Sequence, residues 1–401
     1  MGFSRRPRTD NDSAPRLSVL WSRLAIHSYC VVLASVEHPH SSERLYAPTL
    51  PEWNKNPYVN RRVKRGSDDS YRMFVGLDLH KNYLQTAVMD DQGRLLSQER
   101  IPNRDENIEE FASKRLRDSH AEIVIESSST WYHVYELLSR NQNCHVVLSN
   151  PVKTKAIASA KVKTDKVDAL TLANLLRTGY IPESYIPPRH IMDLREMVRY
   201  RTSLVRMRVE AKNKIHAILL QNGTRITEKP FTIGFVEELR KLGDYRIDGY
   251  LSVISSLSHQ IQTVSSTIKR EATEDESTRL LMTIPGVGYF SALLILSELG
   301  DINRFPDSHH LCSYAGLTPS THSSGGVTYH GSITRSGSRY LRWILTECAK
   351  AHIRTRRDSQ LTRFYTRLAK RRGGSKATVA AASKLLRIVY WVLKEKRPYH
   401  G

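Results

Sequence analysis

The alternation of strand-like and helix-like segments between residues 71 and 148 constrains the fold of this chain more than any other feature of its sequence. Two apolar runs come first, and the turn Asp90-Asp91-Gln92-Gly93 joins the second to a third, as in a β-hairpin. The order of segments predicts three antiparallel strands followed by helix, strand, helix and strand, which is an α/β layer with a mixed sheet. Strands are expected at residues 73–77, 83–89, 94–101, 121–125 and 144–148, and helices at residues 106–116 and 130–140.

Residues 191–220 carry an apolar stripe at helical spacing, and their opposite face is rich in arginine and lysine. A second long helical pattern at residues 250–271 predicts an arm of two antiparallel helices. A basic helix face is most simply a solvated surface, but so many cations in one segment also fit a surface that follows nucleic-acid phosphates. The candidate phosphate ligands in the arm are Arg195, Arg199, Arg206, Lys212 and Lys214.

The last third of the chain opens with Ile284-Pro285-Gly286-Val287-Gly288, directly before an apolar helical run at residues 289–299. Glycines before a helix N-terminus can present backbone N–H groups to a phosphate, which makes Gly286 and Gly288 candidate contacts, although the turn alone is weak evidence. A Ser/Gly-rich loop is predicted at residues 319–337, followed by helices at residues 339–352 and 377–393. Further candidate phosphate ligands in and after the loop are Arg335, Arg339 and Arg342.

The charge of the chain favours a polyanionic partner. Its 401 residues include 61 Lys and Arg against 40 Asp and Glu, a net charge of +21, while 40% of the residues are apolar. Basic runs at residues 354–357 and 370–372 contribute to this excess. A folded protein with such a charge is typical of nucleic-acid binding, and a generic basic surface is the alternative.

The cysteine pattern and the hydropathy argue against other classes of protein. The four cysteines are far apart, with neither CxxC nor paired Cys/His spacing, so a zinc site and a disulfide framework are both disfavoured. The most apolar stretch, residues 17–36, is interrupted by Arg23, His27 and several serines, so it predicts neither a membrane span nor a signal peptide. We therefore expect a soluble, intracellular protein.

Residues 1–70 mix arginine, serine and proline without a sustained helical or strand period. This composition predicts a basic, disordered extension. Two interpretations stay open: a basic arm that binds nucleic acid, and a functional chain that begins near Met73, where the ordered pattern starts.

Four acidic residues form the first candidate catalytic set. Asp78 lies near the end of the first predicted strand, Glu126 ends the fourth, and Asp165 and Asp168 are three residues apart, on one face of a helix. Carboxylates are the ligands that Mg²⁺ prefers, and four converging acids can hold two ions that position a phosphate for in-line attack. Each acid taken singly is more simply a helix cap or a solvated charge.

A serine before two glycines is the second candidate. Ser324-Gly325-Gly326 allows a phosphate backbone to approach closely, and a hydroxyl activated by a base or metal can act there as a nucleophile. A Ser/Gly loop is otherwise a flexible connector, and no GxSxG elbow is present to indicate a hydrolase.

Taken together, these motifs resemble the DEDD transposases of the insertion-sequence 110 and 1111 group, which are related to the pilin-gene invertases. The resemblance covers residues 73–396, and the motifs occur in the order typical of the family. They are Leu77-Asp78-Leu79-His80-Lys81, the strand ending at Glu126, Lys163-Thr164-Asp165-Lys166-Val167-Asp168-Ala169, and Ala315-Gly316-Leu317-Thr318-Pro319 followed by Ser324-Gly325-Gly326, Gly337 and Leu341-Arg342.

The resemblance implies a RuvC-like, RNase H-type N-terminal domain that uses the four acids as ligands of Mg²⁺, with Mn²⁺ as the alternative ion. It also implies a mainly α-helical C-terminal transposase domain whose serine attacks DNA; the motif assigns this role to Ser324, with Ser323 as the fallback. The implied partners are donor and target DNA, a structured guide RNA and further copies of the chain in a dimer or tetramer. The implied location is the cytoplasm, at the nucleoid.

The predicted domains are residues 1–70 (basic extension), 71–185 (RuvC-like domain), 186–278 (coiled-coil arm) and 279–396 (transposase domain). Because the serine and the acids lie in different domains, their cooperation requires domain docking or two subunits. Two other functions stay open. A RuvC-type junction endonuclease would use the same acids with water as the nucleophile, and a non-catalytic protein would only bind nucleic acid.

Overall fold

The computed structural model describes residues 72–116, 120–158, 164–324 and 327–400, and at residues 321–324, 327, 328 and 330 it describes the backbone only. The described residues divide into two units, one ending at Pro187 and the other beginning at Pro188. The predicted basic extension, residues 1–70, lies outside the described residues. The further division of the second unit into an arm and a transposase domain stays a prediction.

The first unit contains a mixed sheet of six strands. They are β1 (Arg72–Leu79), β2 (Tyr83–Met89), β3 (Leu95–Pro102), β4 (His120–Glu126), β5 (Cys144–Ser149) and β6 (Glu183–Ser184). Their order across the sheet is β3-β2-β1-β4-β5-β6, and β1 is antiparallel to β2 but parallel to β4. The predicted α/β layer and mixed sheet are confirmed. Strand β6 spans only two residues, too few to form a periodic pattern in the sequence.

The two faces of this sheet carry different helices. The helices are α1 (Asp105–Arg115), α2 (Trp131–Leu138), α3 (Pro151–Ile157) and α4 (Asp165–Arg177). Leu77 of β1 packs with Ile108 of α1 and Leu138 of α2 in the larger apolar core, whereas Ala169 of α4 packs with residues of β2 on the opposite face. Since successive side chains of a strand alternate between faces, Asp78 lies on the face that α4 covers.

The second unit is mainly helical. Its helices are α5 (Arg189–Gln221), α6 (Ile233–Lys241), α7 (Tyr245–Glu274), α8 (Glu276–Met282), α9 (Tyr289–Leu299), α10 (Ser308–Tyr314), α11 (Arg339–Thr355), α12 (Gln360–Arg372) and α13 (Gly374–Glu395), and its strands are β7 (Pro319–Ser324) and β8 (Val327–Ile333). Residues 291–299 of α9 are all buried, and this helix lies at the centre of a core shared with α11, α13 and the beginning of α5. Across the described ranges, none of the helices offers an apolar stretch that would cross a lipid bilayer.

Helices α5 and α7 pack side by side as an antiparallel pair. The guanidinium of Arg201 donates to Ser265 Oγ at 2.7 Å, and that of Arg208, seven residues later, donates to Ser258 Oγ at 3.2 Å, seven residues earlier on α7. A contact that advances along one helix and retreats along the other establishes the antiparallel direction, as predicted. The short helix α6 packs at the end of the arm, where Phe235 lies in a small apolar core.

Several segments of the second unit differ from the sequence prediction, which contains none of the helices α6, α8 and α10. Residues 319–337, which the sequence predicts as a loop, contain the hairpin β7–β8, in which Thr321 lies opposite His330. Backbone hydrogen bonds stabilise such a hairpin without the apolar alternation by which strands are predicted. Residues 360–372 form α12, a helix absent from the sequence prediction. Its signal was present, since the Ser359 hydroxyl caps the backbone N–H of Thr362 at 3.1 Å and apolar residues recur at helical spacing.

Candidate metal centre and nucleic-acid interface

Helix α4 packs directly against strand β1, and Gly76 makes this close approach possible. A Cβ atom at Gly76 would lie 2.0 Å from the carbonyl oxygen of Ala169 and 2.6 Å from the backbone nitrogen of Ala173. Any side chain at this position would therefore push the helix away from the sheet. Asp78 follows Gly76 by two residues and projects from the same face of the strand.

The first turn of α4 brings two acidic residues to that face. Thr164 begins the helix, because its Oγ1 accepts the backbone N–H of Val167 at 3.3 Å. Asp165 and Asp168 consequently lie in the first turn, three residues apart on one side of the helix. The glycine contact and the helix cap together determine where these two carboxylates lie relative to β1.

Two of the other predicted acids lie close enough to Asp78 to affect its pKa. Burial raises the pKa of the Asp78 carboxyl, His80 opposes this effect, and the negative charges of Asp168 and Asp165 raise that pKa further. The Asp78 side chain is 14% exposed and that of Asp165 is 34% exposed. Closely spaced carboxylates repel each other, and a cation bound between them offsets this repulsion. A cluster of carboxylates therefore has the electrostatics of a metal site.

The fourth acid, Glu126, ends the strand next to β1. Strands β1 and β4 are parallel, with Leu77 opposite Ile125, and the register therefore places Asp78 beside Glu126 at the carboxyl ends of the two strands. The odd-numbered neighbours of Glu126 are buried in the core on the other face, so its side chain lies on the α4 face. The register and the alternation of side chains thus place Glu126 on the same face, and at the same end of the strands, as Asp78.

His80 is part of the same cluster, although the sequence prediction assigned it no role. Its Nε2 lies 3.1 Å from Asp78 Oδ2 and 3.5 Å from Asp165 Oδ1. Its ring stacks on Tyr83 with the ring centres 4.6 Å apart. The available sequence signal was the position of His80 two residues after Asp78, at the point where β1 ends.

Tyr83 and Arg100 hold Asp165, and neither was predicted from the sequence. The Tyr83 hydroxyl donates to Asp165 Oδ2 at 2.8 Å, and an Arg100 Nη2 lies 3.3 Å from the same oxygen. The Arg100 guanidinium also lies 4.0 Å from the centre of the Tyr83 ring. The hydrogen bond from Tyr83 is the main cause that lowers the pKa of Asp165, with His80 and Arg100 contributing. Asp165 is therefore kept as an ionised, oriented carboxylate.

The cluster fits a divalent metal ion. Asp78, His80 and Asp165 each offer one ligand atom, and these atoms lie within 4.8 Å of one another. Carboxylate oxygens are the preferred ligands of Mg²⁺, and a carboxylate–imidazole set also suits Mn²⁺. These three ligands leave further coordination positions for other oxygen donors, such as another carboxylate, water or a phosphate oxygen.

Two of the predicted phosphate ligands on α5 contact the protein itself. Arg195 donates twice to the carbonyl oxygen of Ser297, at 2.9 and 2.8 Å. Arg199 forms a bidentate pair with Glu298, at 2.7 and 2.9 Å, and the Glu298 side chain is only 2% exposed. These two guanidiniums fix α5 to α9, and their predicted contact with nucleic acid stays a prediction.

The other predicted cations of α5 differ in exposure. Arg206 and Lys214 are exposed to solvent. Lys212 is half-buried, with its ammonium 4.3 Å from the centre of the Phe231 ring, and burial together with the charge of Arg208 lowers the pKa of Lys212 to about 8. Arg206 and Lys214 are therefore better placed for phosphates than Lys212.

The glycine turn before α9 also packs within the protein. Gly286 has a φ of +88°, and a Cβ atom there would lie 2.5 Å from the backbone nitrogen of His352 and 2.8 Å from the carbonyl oxygen of Cys348, both on α11. Gly288 is exposed, but its N–H donates to Ser291 Oγ at 2.9 Å. Close packing of α11 accounts for Gly286, and the predicted phosphate contacts stay untested.

The predicted cations in and after the loop either contact the protein itself or are exposed to solvent. Arg342 donates through Nη1 to the carbonyl oxygens of Ser336 at 2.6 Å and Gly337 at 3.1 Å, so it stabilises the segment that precedes α11. Arg335 and Arg339 are exposed, and so are the cations in and before α12. The latter are Arg354, Arg356, Arg357, Arg363, Arg367, Lys370, Arg371 and Arg372.

The predicted nucleophile lies at the tip of the hairpin β7–β8. Ser324 is the last residue of β7, and its backbone lies opposite Val327. Its side chain, that of Ser323 and the residues Gly325 and Gly326 lie outside what the structure describes.

Comparison with known families gives two matches. Residues 75–223 match the family model of the DEDD transposases of IS110, and residues 278–366 match the transposase family IS116/IS110/IS902. The two matches together cover more than half of the chain. The first contains the four predicted acids, and the second contains the predicted serine.

Several known proteins are similar to the chain over most of its length. It is 23% identical over 344 residues to the transposase for insertion sequence element IS1111A of Coxiella burnetii, which covers 81% of this chain and 90% of that protein. It is 27% identical to the transposase for insertion sequence element IS1328 of Yersinia enterocolitica, over 58% of this chain and 72% of that protein. It is also 27% identical to the pilin gene-inverting protein of Moraxella bovis, over 69% of this chain and 81% of that protein. On these grounds the chain belongs to the IS110/IS1111 family of DEDD transposases, enzymes that act on DNA.

Proposed function

We propose that this transposase cuts and rejoins DNA strands at specific sites through a covalent serine–DNA intermediate, with divalent metal ions bound at its acidic cluster. The observation that best supports the proposal is the convergence of Asp78, His80 and Asp165 within 4.8 Å. A surface built only to bind DNA has no reason to collect carboxylates, which repel phosphate.

In this proposal the acidic residues hold Mg²⁺, with Mn²⁺ as the alternative ion. A bound divalent ion polarises a phosphate oxygen and offsets the negative charge that develops during transfer. Asp78 supplies a largely buried carboxylate from β1, and Asp165 supplies one that Tyr83 and Arg100 orient. Asp168 and Glu126 supply the remaining oxygen ligands.

Ser324 supplies the covalent step, with Ser323 as the fallback. The serine Oγ attacks phosphorus and forms a new P–O bond, while the bond between phosphorus and a deoxyribose oxygen breaks. That oxygen leaves as a hydroxyl and takes up a proton, which balances the proton lost by the serine. Attack by a hydroxyl of a second strand reverses the step and releases the serine. Phosphodiester energy is conserved throughout, so the exchange requires no ATP.

The proposed partners are donor DNA, target DNA and a structured guide RNA. Base pairing with such an RNA would select the sites, so the protein would need few side chains that read bases. The exposed cations of α5 and of the α12 region suit this arrangement, because they contact phosphates without reading sequence. We further propose that a homo-oligomer, a dimer or tetramer, acts on DNA in the cytoplasm, at the nucleoid.

One assay tests the proposal. The protein is incubated with nicked or branched DNA and Mg²⁺, and the products are separated under denaturing conditions. A covalent protein–DNA adduct is the expected result. Cuts without an adduct would instead indicate a junction nuclease that uses water, and binding without cuts would indicate a non-catalytic protein.

Matched serine variants identify the nucleophile. Ser324→Ala removes one oxygen atom, so the adduct should disappear while folding and DNA binding persist. Ser323→Ala is the control at the adjacent position and should keep the adduct. Peptide mapping of the adduct decides the matter directly, and attachment at Ser323, or at the exposed Tyr329 on strand β8 of the same hairpin, would contradict the assignment.

A further inference from the structure

The acidic cluster also contains a nitrogen donor, the imidazole of His80, which is not one of the four predicted carboxylates. The Nε2 atom of His80 lies between Asp78 and Asp165, at 3.1 Å from one carboxylate and 3.5 Å from the other. It occupies this position from the same end of β1 that supplies Asp78. Strand β1 therefore positions His80 as well as Asp78.

The position of His80 is fixed by several contacts. Its backbone N–H donates to the carbonyl oxygen of Tyr83 at 2.9 Å, and Asn103 Nδ2 donates to the carbonyl oxygen of His80 at 2.9 Å. Stacking on Tyr83, with the ring planes 29° apart, restricts rotation of the imidazole. Tyr83 in turn donates to Asp165, so one side chain orients both a nitrogen and an oxygen donor. Preorganised donors of this kind are typical of a ligand set.

We propose that His80 is a ligand of the divalent ion, bound through Nε2, and that this chain therefore has a mixed nitrogen–oxygen centre that accepts Mg²⁺ but binds Mn²⁺ more tightly. The inference rests on the proposed function, in which an ion binds the acidic cluster. Its chemical basis is that Mg²⁺ prefers oxygen ligands and retains water, whereas Mn²⁺ accepts both carboxylates and imidazole.

The opposite arrangement would be an imidazole that only pairs with the two carboxylates and moves aside when the ion binds. The two arrangements differ in whether nitrogen is bonded to the metal. Mn²⁺ is the probe of choice because its unpaired electrons couple to the ¹⁴N nucleus of a bound imidazole, which pulsed EPR detects.

The test compares Mn²⁺ bound to the full-length wild type and to His80→Phe, which keeps an aromatic ring for the stack on Tyr83 but lacks nitrogen. The wild type should show imidazole ¹⁴N coupling, and His80→Phe should lose it. Mn²⁺ affinity should fall at least about 10-fold in the variant, as for other losses around a metal site. Mg²⁺ affinity should not weaken.

Two controls separate the possible failures. His145→Phe removes an imidazole that pairs with Glu122 on the neighbouring strands, and the ¹⁴N coupling should persist. Asp78→Asn should abolish Mn²⁺ binding. Mn²⁺ that binds in an Asp78-dependent manner but shows no imidazole coupling in the wild type would overturn the role of His80 and leave the proposed function intact. Mn²⁺ binding that is absent, or indifferent to Asp78→Asn, would overturn both.

Discussion

Gly286→Ala should destabilise the second unit because the structure leaves no room for a side chain there. The new Cβ would lie 2.5 Å from the backbone nitrogen of His352 and 2.8 Å from the carbonyl oxygen of Cys348, and a backbone cannot turn aside as a flexible side chain can. The φ of +88° adds strain of about 1–3 kcal/mol for an L-residue. Overpacking adds about 1–3 kcal/mol. Reduced freedom of the unfolded chain offsets about 0.4–1 kcal/mol, so the net loss is about 1–6 kcal/mol.

Thermal unfolding followed by circular dichroism measures this loss. For a domain of about 150–250 residues, a loss of about 1–6 kcal/mol lowers Tm by roughly 2–24 °C. Gly288→Ala is the matched control in the same turn, since no atom lies within 4 Å of the added Cβ and its φ is −99°. Its effect should stay within about 1 kcal/mol. Equal stability of the two variants would refute the packing argument for Gly286.

Three further outcomes are expected. Arg199→Ala removes the cation that pairs with the buried Glu298 carboxylate on α9 and should lower the free energy of unfolding by about 2–3 kcal/mol, less than for a fully buried pair because the Arg199 side chain is 40% exposed. Arg206→Ala should change that free energy by no more than about 0.5 kcal/mol and lower the salt slope of DNA binding by about 1. Denaturant unfolding and salt titrations of DNA binding measure the two effects. The hydrogen bond with Glu122 raises the pKa of His145. Burial is the largest single influence on the Glu122 carboxyl and raises its pKa, but the hydrogen bond with His145 and the positive charges of His145, Arg72 and His120 together lower it. A double-mutant cycle should therefore give a coupling of about 0.2–1 kcal/mol at pH 5.5 that is lost as pH rises through the raised His145 pKa. A coupling that grows at pH 8.5 would contradict this. Gly76→Ala should displace α4, lower stability by about 1–3 kcal/mol and abolish Mn²⁺ binding measured by calorimetry.

The sequence predicts the order of strands and helices along the chain and singles out the four acids, because both depend on local pattern. Asp78 and Glu126 end apolar strands, and strands that end together in a parallel pair bring their last residues to one edge. The helix that carries Asp165 begins at a recognisable Thr164 cap. Strand ends and a helix cap can both be predicted from a sequence, and these two features bring the acids towards one another.

The remaining features depend on tertiary contacts that a single sequence does not contain. Tyr83 and Arg100 reach Asp165 only because the hairpin of β2 and β3 lies beside the first turn of α4. Arg195 and Arg199 resemble phosphate ligands in sequence, and only the position of α9 reveals their partners within the protein. Charge and spacing identify a basic helix face, but they cannot separate its solvated residues from those that hold two helices together.

Our central claim is that the acidic cluster is the metal-dependent catalytic site. Strand cleavage by the Asp78→Asn variant tests this claim most directly. The matched control is Glu122→Gln, an acid four residues before Glu126 on β4 whose carboxylate pairs with His145. With branched DNA and Mg²⁺, we expect that Asp78→Asn loses cleavage while binding DNA at least as tightly as the wild type, and that Glu122→Gln still cuts. Cleavage by Asp78→Asn at the wild-type rate would contradict the claim.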